Sequence, residues 1–158
     1  MFREMRRQKQ ALTHEECIEL LKNEKRGVLS LLGDDDYPYG VPINHYYDED
    51  TGTLCFHGAM IGHRVDAAKR HDKVSFCVYD KGYAKEGDWA LNVKCVVIFG
   101  RIRRVDDYDR MIEISRKLSY KFTSDDDYID AEIEKSARAT LAYEIEIEHM
   151  TGKLVRES

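Results

Sequence analysis

Only two prolines, four cysteines and a single tryptophan occur in these 158 residues, and no long apolar run occurs at all. Without about 18 consecutive apolar residues there is no candidate membrane span, and the basic start is not followed by the apolar stretch of a signal peptide. A cytoplasmic protein with no membrane partner is therefore expected. Cys17, Cys55, Cys77 and Cys95 are widely spaced with no C-x-x-C pair, which excludes a zinc knuckle and a disulfide framework and reads as four buried thiols. His57 and His63 lie too far apart for the i, i+4 pair of a helical zinc site, and Asp34-Asp35-Asp36 lacks the glycine and distal glutamate of a calcium loop. No metal is expected. There is no G-x-G-x-x-G, no Walker lysine loop and no G-x-S-x-G elbow, so Rossmann, P-loop and hydrolase signatures are absent. A net charge of -5 argues against nucleic acid as a partner, although Arg3, Arg6, Arg7 and Lys9 make residues 1–12 a basic arm, read as a solvated end.

What remains is a chain able to fold. Hydrophobic residues are 42% and charged residues 35%, a composition that supports a core in one domain spanning 13–158, or in a subunit that shares an interface. Thr13-His14-Glu15-Glu16 is a capping box, after which Cys17, Leu20 and Leu21 give a helix one apolar stripe. Strands are predicted over Gly27 to Leu32, Val41 to Tyr47, Thr53 to Phe56, Val74 to Tyr79, Ala90 to Val105 with a bend near Gly100, and Leu141 to Ile147. Pro38 and Pro42 exclude a central, fully paired position for the second of these. Leu141, Tyr143, Ile145 and Ile147 alternate with Ala142, Glu144 and Glu146, the pattern of a strand buried on one face. Tyr108 to Leu118 and the segment around Ile129 and Ile133 read as amphipathic helices. About six strands with hairpin-length early connections favour a mainly β fold with helices (α+β), an antiparallel barrel, over a doubly wound parallel sheet.

The stretch Phe56-His57-Gly58-Ala59-Met60-Ile61-Gly62-His63-Arg64 passes from an apolar strand into an amphipathic helix and places two histidines, two glycines and an arginine at the junction. The first N–H groups of a helix have no intrahelical partners and carry the positive end of its dipole. A phosphate finds donors there, with Arg64 and His63 adding more. On local residues alone, an ordinary strand-to-helix turn with both side chains solvated fits as well.

Taken together, the capped helix, Gly-Val-Leu-Ser-Leu, Tyr-Pro-Tyr-Gly-Val-Pro-Ile-Asn, Leu-Cys-Phe-His-Gly-Ala, the Gly-His-Arg helix, Val-Ser-Phe-Cys-Val and Val-Val-Ile-Phe-Gly occur in an order that resembles the pyridoxamine 5'-phosphate oxidase-like FMN-binding split barrels. Within them the chain looks most like the nitroimidazole-resistance branch, from about Thr13 to Lys153. The resemblance implies a six-stranded antiparallel split barrel, a homodimer with FMN in sites between the protomers, and flavin-dependent reduction of small electron-poor molecules. A non-catalytic flavin carrier and a haem-binding split barrel are the alternatives. It implies the flavin phosphate at His57, Gly58, Gly62, His63 and Arg64, and Val41, Pro42, Ile43 and Asn44 along the flavin ring. Cys95 is implied near the ring from the partner subunit, while its alternation with Val93 and Val97 fits a core thiol. His57 becomes a candidate proton donor, or else a satisfied histidine at a strand end, and Tyr83 and Trp89 candidate walls of a substrate pocket. Two departures stand out. Val41 replaces the arginine that many oxidase members place on the first flavin strand, and no Arg-rich segment follows Thr151-Gly152-Lys153, so oxidation of pyridoxamine phosphate is not expected.

Overall fold

The capping box forms as the sequence requires: Glu16 N donates to Thr13 Oγ1 at 3.2 Å and Thr13 N to the Glu16 carboxylate at 2.8 Å, opening α1 (His14–Asn23). The structure, a computed structural model, describes residues 1–157. After α1 come β1 (Arg26–Leu32), β2 (Pro38–Asn44), β3 (Tyr46–Asp48), β4 (Thr53–Ala59), α2 (His63–Arg70), β5 (Lys73–Tyr79), β6 (Tyr83–Ala84), β7 (Leu91–Val105), α3 (Tyr108–Ser119), α4 (Asp126–Ser136) and β8 (Thr140–Glu157). No helix among the described residues is long and apolar enough to cross a membrane.

All strand pairs are antiparallel, in the order β2-β1-β5-β7-β8-β4-β3, with β6 appended to β7. Ile43 from one end of this order and Tyr47, Leu54 and Phe56 from the other join one apolar cluster with Leu29, Phe76, Ile98 and Ile145. The sheet therefore curls around a single core and stays open along the seam between its first and last strands, a split barrel. β7 and β8 set the curl. They pair from Leu91↔Glu157 to Val105↔Ala142 with a register shift at Phe99/Gly100, where a Cβ on Gly100 would collide with the Glu146 carbonyl. Pro42 lies on the edge strand β2, where a missing N–H does no harm.

Several expectations change. Eight strands form rather than six, because Val41 to Tyr47 divides at His45 into β2 and β3 and because β6 adds a short pair; β8 also runs on past Ile147 to Glu157. His45 breaks the segment because it turns inward. It is fully buried, its Nε2 donates to Leu21 O at 2.8 Å, and Phe76 meets its ring edge-on. Ala142 and Glu144 are buried too, since α3 covers the second face of β8 over a smaller core of Cys55, Met111, Ile114, Ala137 and Ala142. Cys77 and Cys95 are half-buried on the outer face of β5 and β7, unlike the buried Cys17 and Cys55. The arm is not a free solvated end: Phe2 stacks on His149 at 4.8 Å and on Phe99 at 5.8 Å, and Ala11 bridges to Lys153.

Candidate functional site

The strand-to-helix junction is built from one glycine and the alternation of β4. Gly62 precedes α2 with φ 131°, a conformation that side chains rarely adopt, and no side chain caps the helix that follows. Its first backbone N–H groups are thus open, between the exposed Met60 and Ile61 on one side and His63 and Arg64 on the other.

The two side chains diverge. His63 turns to the β2 side: it stacks on Tyr39 at 4.0 Å, and its Nε2 accepts from Asp34 N at 3.3 Å. Asp34 is held in turn by Arg70 at 2.8 Å. Arg64 turns to the β4 side, over the Phe56 ring at 5.4 Å and against the Cα of Gly58, where a Cβ would collide with its guanidinium. Its Nε is buried with no hydrogen-bond partner. A buried donor left unmatched costs free energy unless something supplies an acceptor. The glycine cradle, the unmatched guanidinium nitrogen and the open helix start together fit an anionic group.

The structure brings His63 and Arg64 to one helix start and Gly58 beneath Arg64, but it sends His57 to the other face of β4. Alternation puts Phe56 and Gly58 on the barrel side and Cys55 and His57 under α3. There His57 Nδ1 meets Ser115 Oγ at 3.0 Å, leaving Nε2 for a cleft of about 250 Å3 walled by Ser115, Tyr128, Ile129, Glu132, Ile133 and Thr140. Burial, reinforced by the Arg64 charge, lowers the imidazole's pKa from its ordinary value and favours its neutral form. Sequence reasoning missed Ser115, which lies 58 positions from His57. It missed Tyr39 as well, although its place three residues before Pro42 on the same strand was a usable signal.

Along β2, Val41 and Ile43 face the core while Pro42 and Asn44 are exposed, and the strand's outer edge has no partner. Asn44 Oδ1 already accepts from Arg26 Nε at 3.1 Å. Cys95 faces outward beside Lys153 and Tyr79, away from the junction of its own chain. Trp89 is 79% exposed and Tyr83 is exposed, and neither lines the His57 cleft. Among the described residues, no group of three or more His, Cys, Asp and Glu is placed to hold a metal ion.

A second polar cluster lies close by. Arg110 on α3 donates to Glu144 at 2.7 Å, to Asp48 at 2.6 Å and to Glu113 at 3.0 Å, and Arg103 also bonds Glu144. Burial works against ionising Asp48 and Glu144, but the hydrogen bonds and charge of these arginines outweigh it and hold both carboxyls below their ordinary range. With every arm of Arg110 occupied, this cluster ties α3 to β3 and β8.

An antiparallel sheet curled around one core and open along one seam defines the class of fold, a split barrel. The chain belongs to the pyridoxamine 5'-phosphate oxidase family, whose model matches residues 13–154. No curated protein matches the sequence. Among solved structures, a Bacteroides thetaiotaomicron protein provisionally assigned to 5-nitroimidazole antibiotic resistance is similar at 16% identity and TM-score 0.77, over 93% of this chain and 87% of that one. An FAD-binding protein from Mesorhizobium loti is similar at 20% identity and TM-score 0.68, over 92% of this chain and 96% of the other. The FAD and haem binding protein of Mycobacterium smegmatis is similar at 20% identity and TM-score 0.74, over 92% and 73%. At these identities the likeness is one of fold.

Proposed function

We propose that the chain is a homodimeric flavoprotein that holds FMN and reduces small electron-poor molecules of nitroaromatic type. The observation that carries the reading is Arg64, whose buried Nε has no partner beside an uncapped helix start. The flavin-binding and nitroimidazole-resistance relatives support it by fold. Bound flavin supplies the redox chemistry, and the protein supplies binding, orientation and proton handling. The N–H groups at the start of α2, with Arg64 and His63, hold the phosphate. The free edge of β2, from Val41 to Asn44, offers backbone donors and acceptors to the ring. His57 lies on the α3 face of β4, opposite Arg64, and so serves the cleft rather than the phosphate. The cleft takes the substrate between Tyr128, Ile129 and Ile133, and His57, held by Ser115, delivers a proton.

The outer face of β1, β5 and β7 presents Val28, Cys77, Tyr79, Cys95 and Val97, all uncharged, with Val28 36% and Tyr79 62% exposed. A second copy covers this face in the proposed dimer and brings its Cys95 toward the flavin. Sedimentation at micromolar concentration is expected to give a dimer, and a flavin-bearing monomer would remove the shared site. The primary test is the absorbance spectrum of the purified protein with mass identification of the released cofactor. Flavin bands and an FMN mass are expected, whereas a Soret band would assign haem and absence of any chromophore after FMN addition would overturn the reading.

A further inference from the structure

We infer that the cleft under α3 and α4 selects its ligands by charge, and that it takes small one-ring molecules carrying a cationic N–H head, a primary ammonium or an amidinium. This rests on the reading of that cleft as the substrate site. The cleft measures about 250 Å3. A site for a drug-sized ligand occupies roughly 300–1,000 Å3, so a single ring with a short substituent is the size this one suits.

Its charge is of one sign. The described residues that line it include one carboxylate, Glu132, and no lysine or arginine, while burial favours the neutral form of His57. Glu132 makes no ion pair among the described residues, whereas Asp130, two positions earlier on α4, is engaged by Arg116. Lys135 and Arg138 do not line the cleft. Ser136 and Ala137 bring in the C-terminal end of α4, the negative end of its dipole.

The hydroxyls add acceptors rather than donors. Ser119 Oγ donates to Ser115 O at 2.7 Å and Thr140 Oγ1 to Ser136 O at 2.8 Å, so each spends its proton on a backbone carbonyl and keeps only lone pairs. Ser115 Oγ donates to Met111 Sδ at 3.7 Å and therefore accepts from His57 Nδ1, which leaves the neutral ring with a bare Nε2. A carboxylate, a helix C-terminus, two hydroxyl oxygens and an imidazole nitrogen thus line one space, and all of them accept. Ile129 and Ile133 supply the apolar wall for the ring. An ammonium matches such a set, whereas a carboxylate finds no cation there.

Calorimetric titration of the purified protein with 4-nitrobenzylamine, 4-nitrobenzyl alcohol and 4-nitrobenzoate varies the charge at nearly constant shape, and is made for the parent and for Glu132→Gln. At pH 7 the amine is expected to bind the parent at least about fivefold more tightly than the alcohol, and the benzoate more weakly than either; a larger factor is not required, because Glu132 is exposed. Glu132→Gln keeps the shape and removes the charge, so the amine's advantage should shrink to within about twofold. Equal affinities for amine and alcohol in the parent, binding of none of the three, or an advantage that Glu132→Gln retains would each overturn the inference. Reduction of the same probes by chemically reduced protein separates it from the reductase reading. Reduction indifferent to charge would overturn the cationic class and leave the reductase, whereas selective binding of the amine with no probe reduced would leave the cationic seat and overturn the reductase.

Discussion

Arg110 and Arg64 approach β4 from opposite faces, and their contrast separates what holds this fold from what the fold holds ready. Arg110 lies under α3 with each of its arms bonded to a carboxylate of Asp48, Glu144 or Glu113. Arg64 lies on the barrel side with its Nε buried and unmatched, stacked over Phe56 and wedged against a glycine. A saturated cluster is complete without a ligand, and its removal leaves buried charges behind. An unsatisfied buried donor is a standing cost of folding, offset once an acceptor arrives.

The sharpest way to break the comparison is to treat the two arginines alike. Arg110→Met strands Asp48, 3% exposed, and leaves Glu144, 6% exposed, to Arg103 alone, and should cost about 3–5 kcal/mol of unfolding free energy in a denaturant titration. Arg64→Met removes the desolvation cost of an unmatched buried donor and should leave stability unchanged or raise it, by up to about 1–3 kcal/mol. Equal losses would erase the distinction between a structural and a ligand-facing arginine.

A smaller effect is expected at His57, on the Arg110 side of the strand. His57→Ala should keep FMN bound and slow nitro reduction by chemically reduced enzyme at least about tenfold, the low end of the range for a lost general acid when water substitutes. Because burial holds this imidazole below its ordinary range, its proton-carrying form is populated only on the acid side of neutrality. The parent's advantage over His57→Ala should therefore grow as pH falls. An advantage constant with pH would make His57 a packing residue, and loss of FMN would make it a cofactor ligand.

His45 gives the finest-grained test, since its Nδ1, like Arg64 Nε, is buried and unmatched. Burial first, then the Lys121 charge, push its pKa down to about 3, while the Leu21 hydrogen bond works the other way. The unfolded chain takes up this proton near its ordinary value of about 6.5 and the folded chain does not. His45 thus favours the folded state in full above that value, and its contribution falls by about 1.4 kcal/mol per pH unit between roughly 6.5 and 3. His45→Gln should flatten that slope in unfolding titrations across the same window. An unchanged slope would place the proton elsewhere.

Much of the barrel was legible because its signals are local. The Thr13–Glu16 box, the strand from Val74 to Tyr79, the bend at Gly100 and the exclusion of Pro42 from the sheet centre each depend on neighbours along the chain. What was missed depends on distant partners. Glu144 looks like a solvent-facing residue until Arg110, 34 positions earlier, covers it. Phe2 looks like a loose end until β8 reaches back far enough to set His149 beside it. At the site, the helix start and its Gly62 were readable, whereas His57 was placed with Gly58 at one turn although period-two alternation sets them on opposite faces of β4. Ser115 was not, since only the folding of α3 against β4 brings it there.

The central claim is that Arg64 waits for a phosphate, and the most direct measurement compares FMN with riboflavin, which lacks that group, in parallel titrations of the parent and Arg64→Ala. FMN affinity should fall by about 1.5–3 kcal/mol, the range of a hydrogen bond to a charged group, while riboflavin affinity stays where it was. Equal FMN affinities for the two proteins, or equal losses for FMN and riboflavin, would contradict it.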